Sequence, residues 1–318
     1  MMKITRLLLL LMLYLGTCFL PLRADCAPIP AEVKNLVTFI FQADAAGDVV
    51  KDSSGKPVAM GTGFFVAVPG PAGSAFGYLV TAKHVLNESD GSYRKKIDIR
   101  LNTRGGDAEF IPVDLDKNGK SPIFEHPDSS VDIVVVPCVP DLAKYDYKAL
   151  PDGAITTQDS FKTLNIAEGS DIFFTGLYTG YYGQHHNSPI IRFGRVAMLP
   201  EDKIHFEANK PAERLYMLET QSYPGNSGSP VFFFLGADRT PGSLVLGPPV
   251  ICLAGVMKGF FGNISPIVFL KNTDASPIPV ANQNSGIAAV TPSYFLHDIL
   301  FSEPLKRFRA LSAMPNNH

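Results

Sequence analysis

The sequence predicts an all-β protein, a sandwich or barrel of short strands closed by one C-terminal helix. Its apolar runs are short and rich in Val, Ile, Phe and Tyr, which suits strands more than helices. Turn-forming residues separate the runs, with 27 Gly and 26 Pro in 318 positions. Only the last long segment repeats its apolar residues at helical spacing.

In chain order, residues 27–33 carry two prolines and read as an extended lead-in, and the first strand is expected at 37–41. Gly61-Thr62-Gly63 leads into a strand at 64–68, and a turn-rich loop at 69–74 precedes another at 77–81. That strand runs into Ala82-Lys83-His84-Val85-Leu86. Further strands are expected at 97–102, 109–115 and 132–136. Residues 137–161 contain three prolines and read as a connection between two halves. A second set of strands is expected at 171–176, 190–198, 215–219, 231–235, 250–257 and 286–290. Thr291 then reads as a helix N-cap with Pro292 at the first helical position. The helix would extend to about residue 310, with Phe295, Leu296, Ile299, Leu300 and Leu305 on its apolar side.

Hydrophobic residues make up 46% and charged residues 18%, an ordinary globular composition that excludes wholesale disorder. The length allows one large or two small domains. A formal net charge of -2 gives no reason to expect a nucleic-acid partner. There is no internal repeat and no low-complexity segment.

Lys3 and Arg6 precede an apolar run over 7–20, and Leu22-Arg23-Ala24 follows it. This is the pattern of a signal peptide at 1–24 that is cut after Ala24. The run, about 14 residues, falls short of the roughly 20 that a helical span needs, so no stable membrane span is expected after cleavage. The mature chain would be exported, to the periplasm or the medium. An uncleaved anchor is the competing reading, and Cys18 makes a poor lipoprotein site because Thr17 precedes it. Cleavage would leave Cys26, Cys138 and Cys252. Cys138 and Cys252 both sit in apolar, strand-like surroundings, which suits a disulfide or two small buried hydrophobes equally. No Cys/His spacing matches a zinc site, and neither metal nor cofactor is expected.

The stretch with most chemistry in it is Tyr223-Pro224-Gly225-Asn226-Ser227-Gly228-Ser229-Pro230. Glycines on both sides of Ser227 allow a bend that presents the hydroxyl and lets nearby backbone N–H groups converge on one point. A plain Gly/Ser/Pro turn would use the same residues for local reasons. A serine hydroxyl needs a base within hydrogen-bond reach. Of seven histidines, His84 stands at a junction of apolar strand and loop. Asp132 opens the apolar run 133–136, where its charge must be satisfied, and a histidine N–H would satisfy it while fixing the ring tautomer. Asp128 is a nearby competitor in more loop-like surroundings. His185 and His186 lie in a Tyr/Gly/Asn-rich loop and read as surface residues.

Together, Thr81-Ala82-Lys83-His84, Asp132-Ile133-Val134-Val135 and Gly225-Asn226-Ser227-Gly228-Ser229-Pro230-Val231 resemble the His, Asp and Ser motifs of trypsin-like, chymotrypsin-fold serine peptidases. The order is the family's, and Gly61-Thr62-Gly63-Phe64 resembles the strand before its histidine. Residues 285–290 resemble its last strand, so the resemblance spans roughly residues 33–310. In motif it is nearest to bacterial glutamyl endopeptidases and stress-protease domains.

The resemblance implies a peptidase domain over 25–310 built of two six-stranded antiparallel β-barrels. The barrels would cover about 33–140 and 165–291, with a C-terminal helix at 292–310 and the site between them. It implies that Ser227 attacks the scissile carbonyl, that His84 moves the proton, and that Asp132 orients the imidazole. The N–H groups of Gly225 and Ser227 would bind the oxyanion, and the substrate would be a protein or peptide.

Asn226 stands where animal digestive members carry an aspartate, so activation through a new N-terminal ion pair is not expected. About eight residues follow the helix, so no C-terminal peptide-binding domain is expected either. Gln221 and Ser222 would line one side of the primary pocket, and Met257, Lys258 and Gly259 the other. Gln221 argues against an Arg/Lys preference. Lys258 would favour an acidic side chain if it faces the pocket, while strand alternation could equally turn it outward. Two other readings remain open here: a catalytically silent binding protein on the same fold, and an esterase of the α/β-hydrolase kind. The esterase fits poorly, because Ser229 replaces the last glycine of its G-x-S-x-G elbow and a strand-like run follows.

Overall fold

The computed structural model describes residues 29–117, 119–207, 210–236, 248–266 and 280–313. The signal segment expected at 1–24, Cys18 and Cys26 lie outside the described residues.

The first half of the chain forms one antiparallel sheet. Its strands are β1 (Val37–Gln42), β2 (Ala59–Pro69), β3 (Ala75–Thr81), β4 (Lys96–Asn102), β5 (Ala108–Asp114), β6 (Phe124–Glu125) and β7 (Val134–Pro137). They lie in the order β5-β4-β1-β2-β3-β7-β6, and the two-residue β8 (Leu150–Pro151) runs parallel to β2. β1 is buried on both faces, and Phe39, Ile40, Phe41, Phe64 and Phe65 supply much of the core.

The second half is a closed barrel in the order β10-β11-β14-β13-β12-β9. It is made of β9 (Asp171–Gly176), β10 (Ile190–Met198), β11 (Tyr216–Glu219), β12 (Pro230–Leu235), β13 (Val250–Pro266) and β14 (Val280–Pro292). Ile172, Phe174, Val231, Phe233, Leu218 and Val290 fill its interior.

The expectation of two six-stranded barrels is therefore met by the second half alone. The first half is an open sheet, and prolines mark both of its edges. Pro112 sits inside β5, and proline, having no N–H to donate, is confined to edge strands. At the other edge β6 is only two residues long and lies between Pro122 and Pro127. Part of the exposed sheet is covered instead by the loop between β9 and β10. Its Tyr182 packs edge-on against Phe39 and Phe41, and Arg100 donates to Gln184 O and Asn187 Oδ1. His185 is at the surface of this loop, 3.3 Å from Asp107.

Residues 137–161 cross from the sheet to the barrel. β8 lies beside β2, Ile155 bridges to Leu253, and Thr156 N–H donates to Leu253 O at 3.2 Å. A short helix, α1 (Gln158–Thr163), follows.

The single helix expected at 292–310 is two, α2 (Ser293–Leu300) and α3 (Glu303–Ser312). Pro304 explains the break, because its ring would clash with the Leu300 carbonyl in a continuous helix. It is instead accommodated in the first turn of α3, after Ser302 at the N-cap. Thr291 is not the cap of α2. It pairs with Val256 inside β14, and Pro292 occupies the N-cap position.

No disulfide joins Cys138 to Cys252. Cys138 follows β7 in the first sheet, where burial pushes its thiol up to about 11. Cys252 packs in the barrel core. Among the described residues no helix is long and apolar enough to cross a membrane.

Candidate active site

Ser227 is presented by two successive turns before β12. Asn226 N–H closes the first on Tyr223 O at 2.9 Å, with Pro224 and Gly225 in the middle. Ser229 N–H closes the second on Asn226 O at 3.0 Å, with Ser227 and Gly228 in the middle. Gly225 has φ +94 and Gly228 φ +84, the left-handed values that the third position of such a turn demands. At Gly228 a Cβ would collide with Thr62 O and Thr81 Oγ1, so the glycine serves both shape and close approach.

The turn is pinned to the first sheet through the Gly61-Thr62-Gly63 motif. Thr62 N–H donates to Ser227 O at 2.8 Å, and its hydroxyl donates to Gly225 O at 2.8 Å. The same hydroxyl accepts Leu177 N–H at 2.9 Å. Asn226 is buried, with its side-chain N–H donating to Leu177 O at 2.7 Å and its carbonyl accepting Tyr223 N–H at 2.8 Å. A neutral side chain thus holds the turn. No acceptor among the described residues takes the N–H of Gly225 or Ser227.

His84 lies in a 3₁₀ turn, Lys83–Val85, directly after β3, and Asp132 lies two residues before β7. Because β3 and β7 pair with Thr81 opposite Val134, the two side chains meet at the same end of the sheet. His84 Nδ1 is 2.7 Å from Asp132 Oδ2, and His84 backbone N–H donates to Asp132 Oδ1 at 3.0 Å. Burial alone would raise the Asp132 carboxyl. The His84 and Lys258 charges and the hydrogen bonds from His84 outweigh it and hold the group well below the usual carboxylate range. Asp128 is occupied elsewhere, 2.7 Å from Lys203 at the surface.

The Ser227 hydroxyl does not donate to His84. It donates to the carbonyl of Lys258 at 3.1 Å. His84 and Ser227 nonetheless share one open cleft of about 460 Å³, lined also by Met60, Arg94, Phe206, Tyr223 and Phe260.

The chain matches the model of the trypsin-like peptidase domain over residues 61–236, more than half its length, and the match contains His84, Asp132 and Ser227. It belongs to the trypsin-like peptidase family. Among solved structures, the MamO protease domain from Magnetospirillum magneticum in its apo form is similar at 13% identity and a TM-score of 0.45. That similarity covers 84% of this chain and 97% of the other. The structure of HBP at atomic resolution is similar at 11% identity and a TM-score of 0.43, covering 85% and 91%. No curated protein sequence matches.

Of the five residues expected around the primary pocket of this trypsin-like domain, only Gly259 lines the cleft. Gln221 is exposed and accepts the Tyr223 hydroxyl at 2.9 Å. Ser222 is buried, and Met257 packs in the barrel core. Lys258 neither faces the pocket nor points outward. β13 carries a bulge between Met257 and Gly259, which leaves Lys258 as the unpaired extra residue, and its side chain turns in to Asp132. The sequence reading missed Thr62, Glu213, Arg94 and Phe206. Only Thr62 left a signal, in its glycine-flanked motif.

Proposed function

We propose that this trypsin-like domain is a serine endopeptidase that cleaves peptide bonds in a protein or peptide through an acyl-enzyme. The observation that carries the reading is the 2.7 Å pair of His84 and buried Asp132, in one cleft with a serine on a double glycine turn. In the reaction, Ser227 Oγ bonds to the scissile carbonyl carbon as its proton passes to His84 Nε2. The carbonyl oxygen becomes an oxyanion facing the N–H groups of Gly225 and Ser227, worth on the order of 10²–10³ in turnover per donor. As the intermediate collapses, the C–N bond breaks and His84 returns the proton to the leaving amine. Water, deprotonated by His84, then adds to the ester carbonyl, and as the acyl C–O bond breaks His84 passes that proton to Ser227 Oγ and the acid product leaves. Asp132 holds the imidazole and stabilises its charged form. The Lys3/Arg6 charge and the apolar run after it support export as the setting.

A second reading, a catalytically silent binding protein, is favoured by one fact, the Ser227 hydroxyl on the Lys258 carbonyl. In the peptidase reading Ser227 leaves that carbonyl by a χ1 rotation, a change side chains make in picoseconds to nanoseconds when accessible. Labelling with a fluorophosphonate separates the two. The wild type is expected to label and to cleave members of a peptide library, while Ser227→Ala and His84→Ala do neither. Equal labelling of all three, or of none, would sink the peptidase reading.

A further inference from the structure

Beneath His84 lies a charged group that the reaction as drawn does not use. The Lys258 ammonium is 3.0 Å from Asp132 Oδ2 and 2.9 Å from Glu213 Oε2, with its side chain 9% exposed. It also lies 5.3 Å from the centre of the Phe206 ring, which lines the cleft. A buried ammonium is costly unless it is paired, and two carboxylates pair this one. The Asp132 oxygen it contacts is the one held by His84 Nδ1 at 2.7 Å. Lysine and imidazole therefore lean on a single oxygen, which puts the two nitrogens within about 6 Å of each other. The backbone of the same residue takes the Ser227 hydroxyl. Lys258 thus touches both ends of the constellation.

We propose that Lys258 and Glu213 are positioning residues: Lys258 clamps the Asp132 carboxylate beneath His84, and the Lys258–Glu213 pair sets how strongly that carboxylate favours a protonated ring. The proposal rests on reading His84, Asp132 and Ser227 as a triad. With all groups ionised, Asp132, Lys258 and Glu213 sum to one negative charge behind the imidazole. Removing the lysine charge leaves two negative charges. Removing the Glu213 charge leaves ammonium and carboxylate cancelling. The other groups facing this cluster are Glu207 beside Glu213 and Tyr93 beside Asp132. Lys83, next to His84, is taken up by Glu125 at 2.6 Å. Burial raises the Glu213 carboxyl against the pull of Lys258, so the balance of the cluster is open to titration.

The test is the titration of His84 followed by NMR on the full chain with ¹⁵N-labelled histidine, in wild type, Lys258→Met and Glu213→Gln. Lys258→Met is expected to move the His84 midpoint to higher pH, on the order of one unit or more at this separation. Glu213→Gln is expected to move it to lower pH by less. The double variant, with one negative charge again, returns towards wild type and also shows that the site tolerates the change. Displacement in the same direction for both single variants, or none, overturns the proposal. If Lys258→Met does not fold, Glu213→Gln decides, and a midpoint unmoved or raised overturns it. Fluorophosphonate labelling against pH is run in parallel, and its acid limb should shift with the NMR midpoint. Opposite NMR shifts in a protein that never labels would sink the peptidase reading and leave the charge clamp standing.

Discussion

The Thr62 hydroxyl donates to the Gly225 carbonyl at 2.8 Å across 163 positions of sequence, and it accepts the Leu177 N–H as well. One buried side chain therefore joins the open sheet, the barrel and the turn that carries Ser227. Thr62→Val keeps the shape but leaves that carbonyl and that N–H without a partner. Each unsatisfied buried group costs about 1–3 kcal/mol. Denaturant unfolding should show a loss of that order, and the labelling rate of Ser227 should fall at least tenfold. Thr62→Ser, which keeps the hydroxyl, should stay near wild type in both. Wild-type labelling by Thr62→Val would show that the tie does not position the turn.

Gly228→Ala should be among the most damaging single changes in the chain. The alanine would have to hold φ near +84, and its methyl would meet Thr62 O and Thr81 Oγ1, both fixed inside the fold. Neither neighbour is the free end of a flexible side chain. The expected result is loss of cooperative unfolding or a stability drop of roughly 3 kcal/mol or more, read by thermal denaturation. Gly55→Ala is a useful contrast, since it has a left-handed φ of +80 but open space around it.

Asn226→Asp would put an acid into a site built for an amide. The carboxylate keeps the acceptor for Tyr223 N–H but turns an oxygen onto the Leu177 carbonyl in place of the donor now there. Urea unfolding at pH 7 should show a loss of about 3 kcal/mol for this buried, uncompensated charge. Such a group has a raised folded-state titration, so stability should recover as the pH falls and the carboxyl regains a proton to donate. Equal stability of variant and wild type at pH 7 would refute this account.

Asp98, which does not line the cleft, predicts a pH dependence of its own. It is 1% exposed on β4, with Oδ2 lacking a hydrogen-bond partner among the described residues. Burial, then the Asp48 and Asp44 charges, raise its carboxyl from 3.8 to about 6. The folded chain holds this proton more tightly than the unfolded chain does. The group's contribution to stability is therefore full below about pH 4 and is lost as the pH rises through about 6. Asp98→Asn copies the protonated form. It should be more stable than wild type at pH 8 by roughly 1–3 kcal/mol and indistinguishable near pH 4. Thermal melts at the two pH values check this.

Much of the site is legible in the sequence because its signals are local. Gly225 and Gly228 bracket Ser227 within four residues, His84 follows a strand at once, and Asp132 stands immediately before an apolar run. β9 and β10 fall at the expected bounds for the same reason. β13 and β14 run well past the strands expected at 250–257 and 286–290. Gly259, Gly262 and Asn284 look like turn residues, yet they lie within paired strands with bulges. Glu213 left no local signal at all, since only the approach of Lys258 makes it part of the site.

By itself the sequence determined an all-β chain, the glycine turn around Ser227 and the three residues that could form a triad, because each depends on backbone preferences or on neighbours along the chain. Tertiary structure alone decided that the first sheet stays open, that Lys258 lies under Asp132 and that Ser227 donates to the Lys258 carbonyl. The physical reason is one of register. A single extra residue in β13 changes which way Lys258 points, and whether a sheet closes depends on edges that meet only in three dimensions.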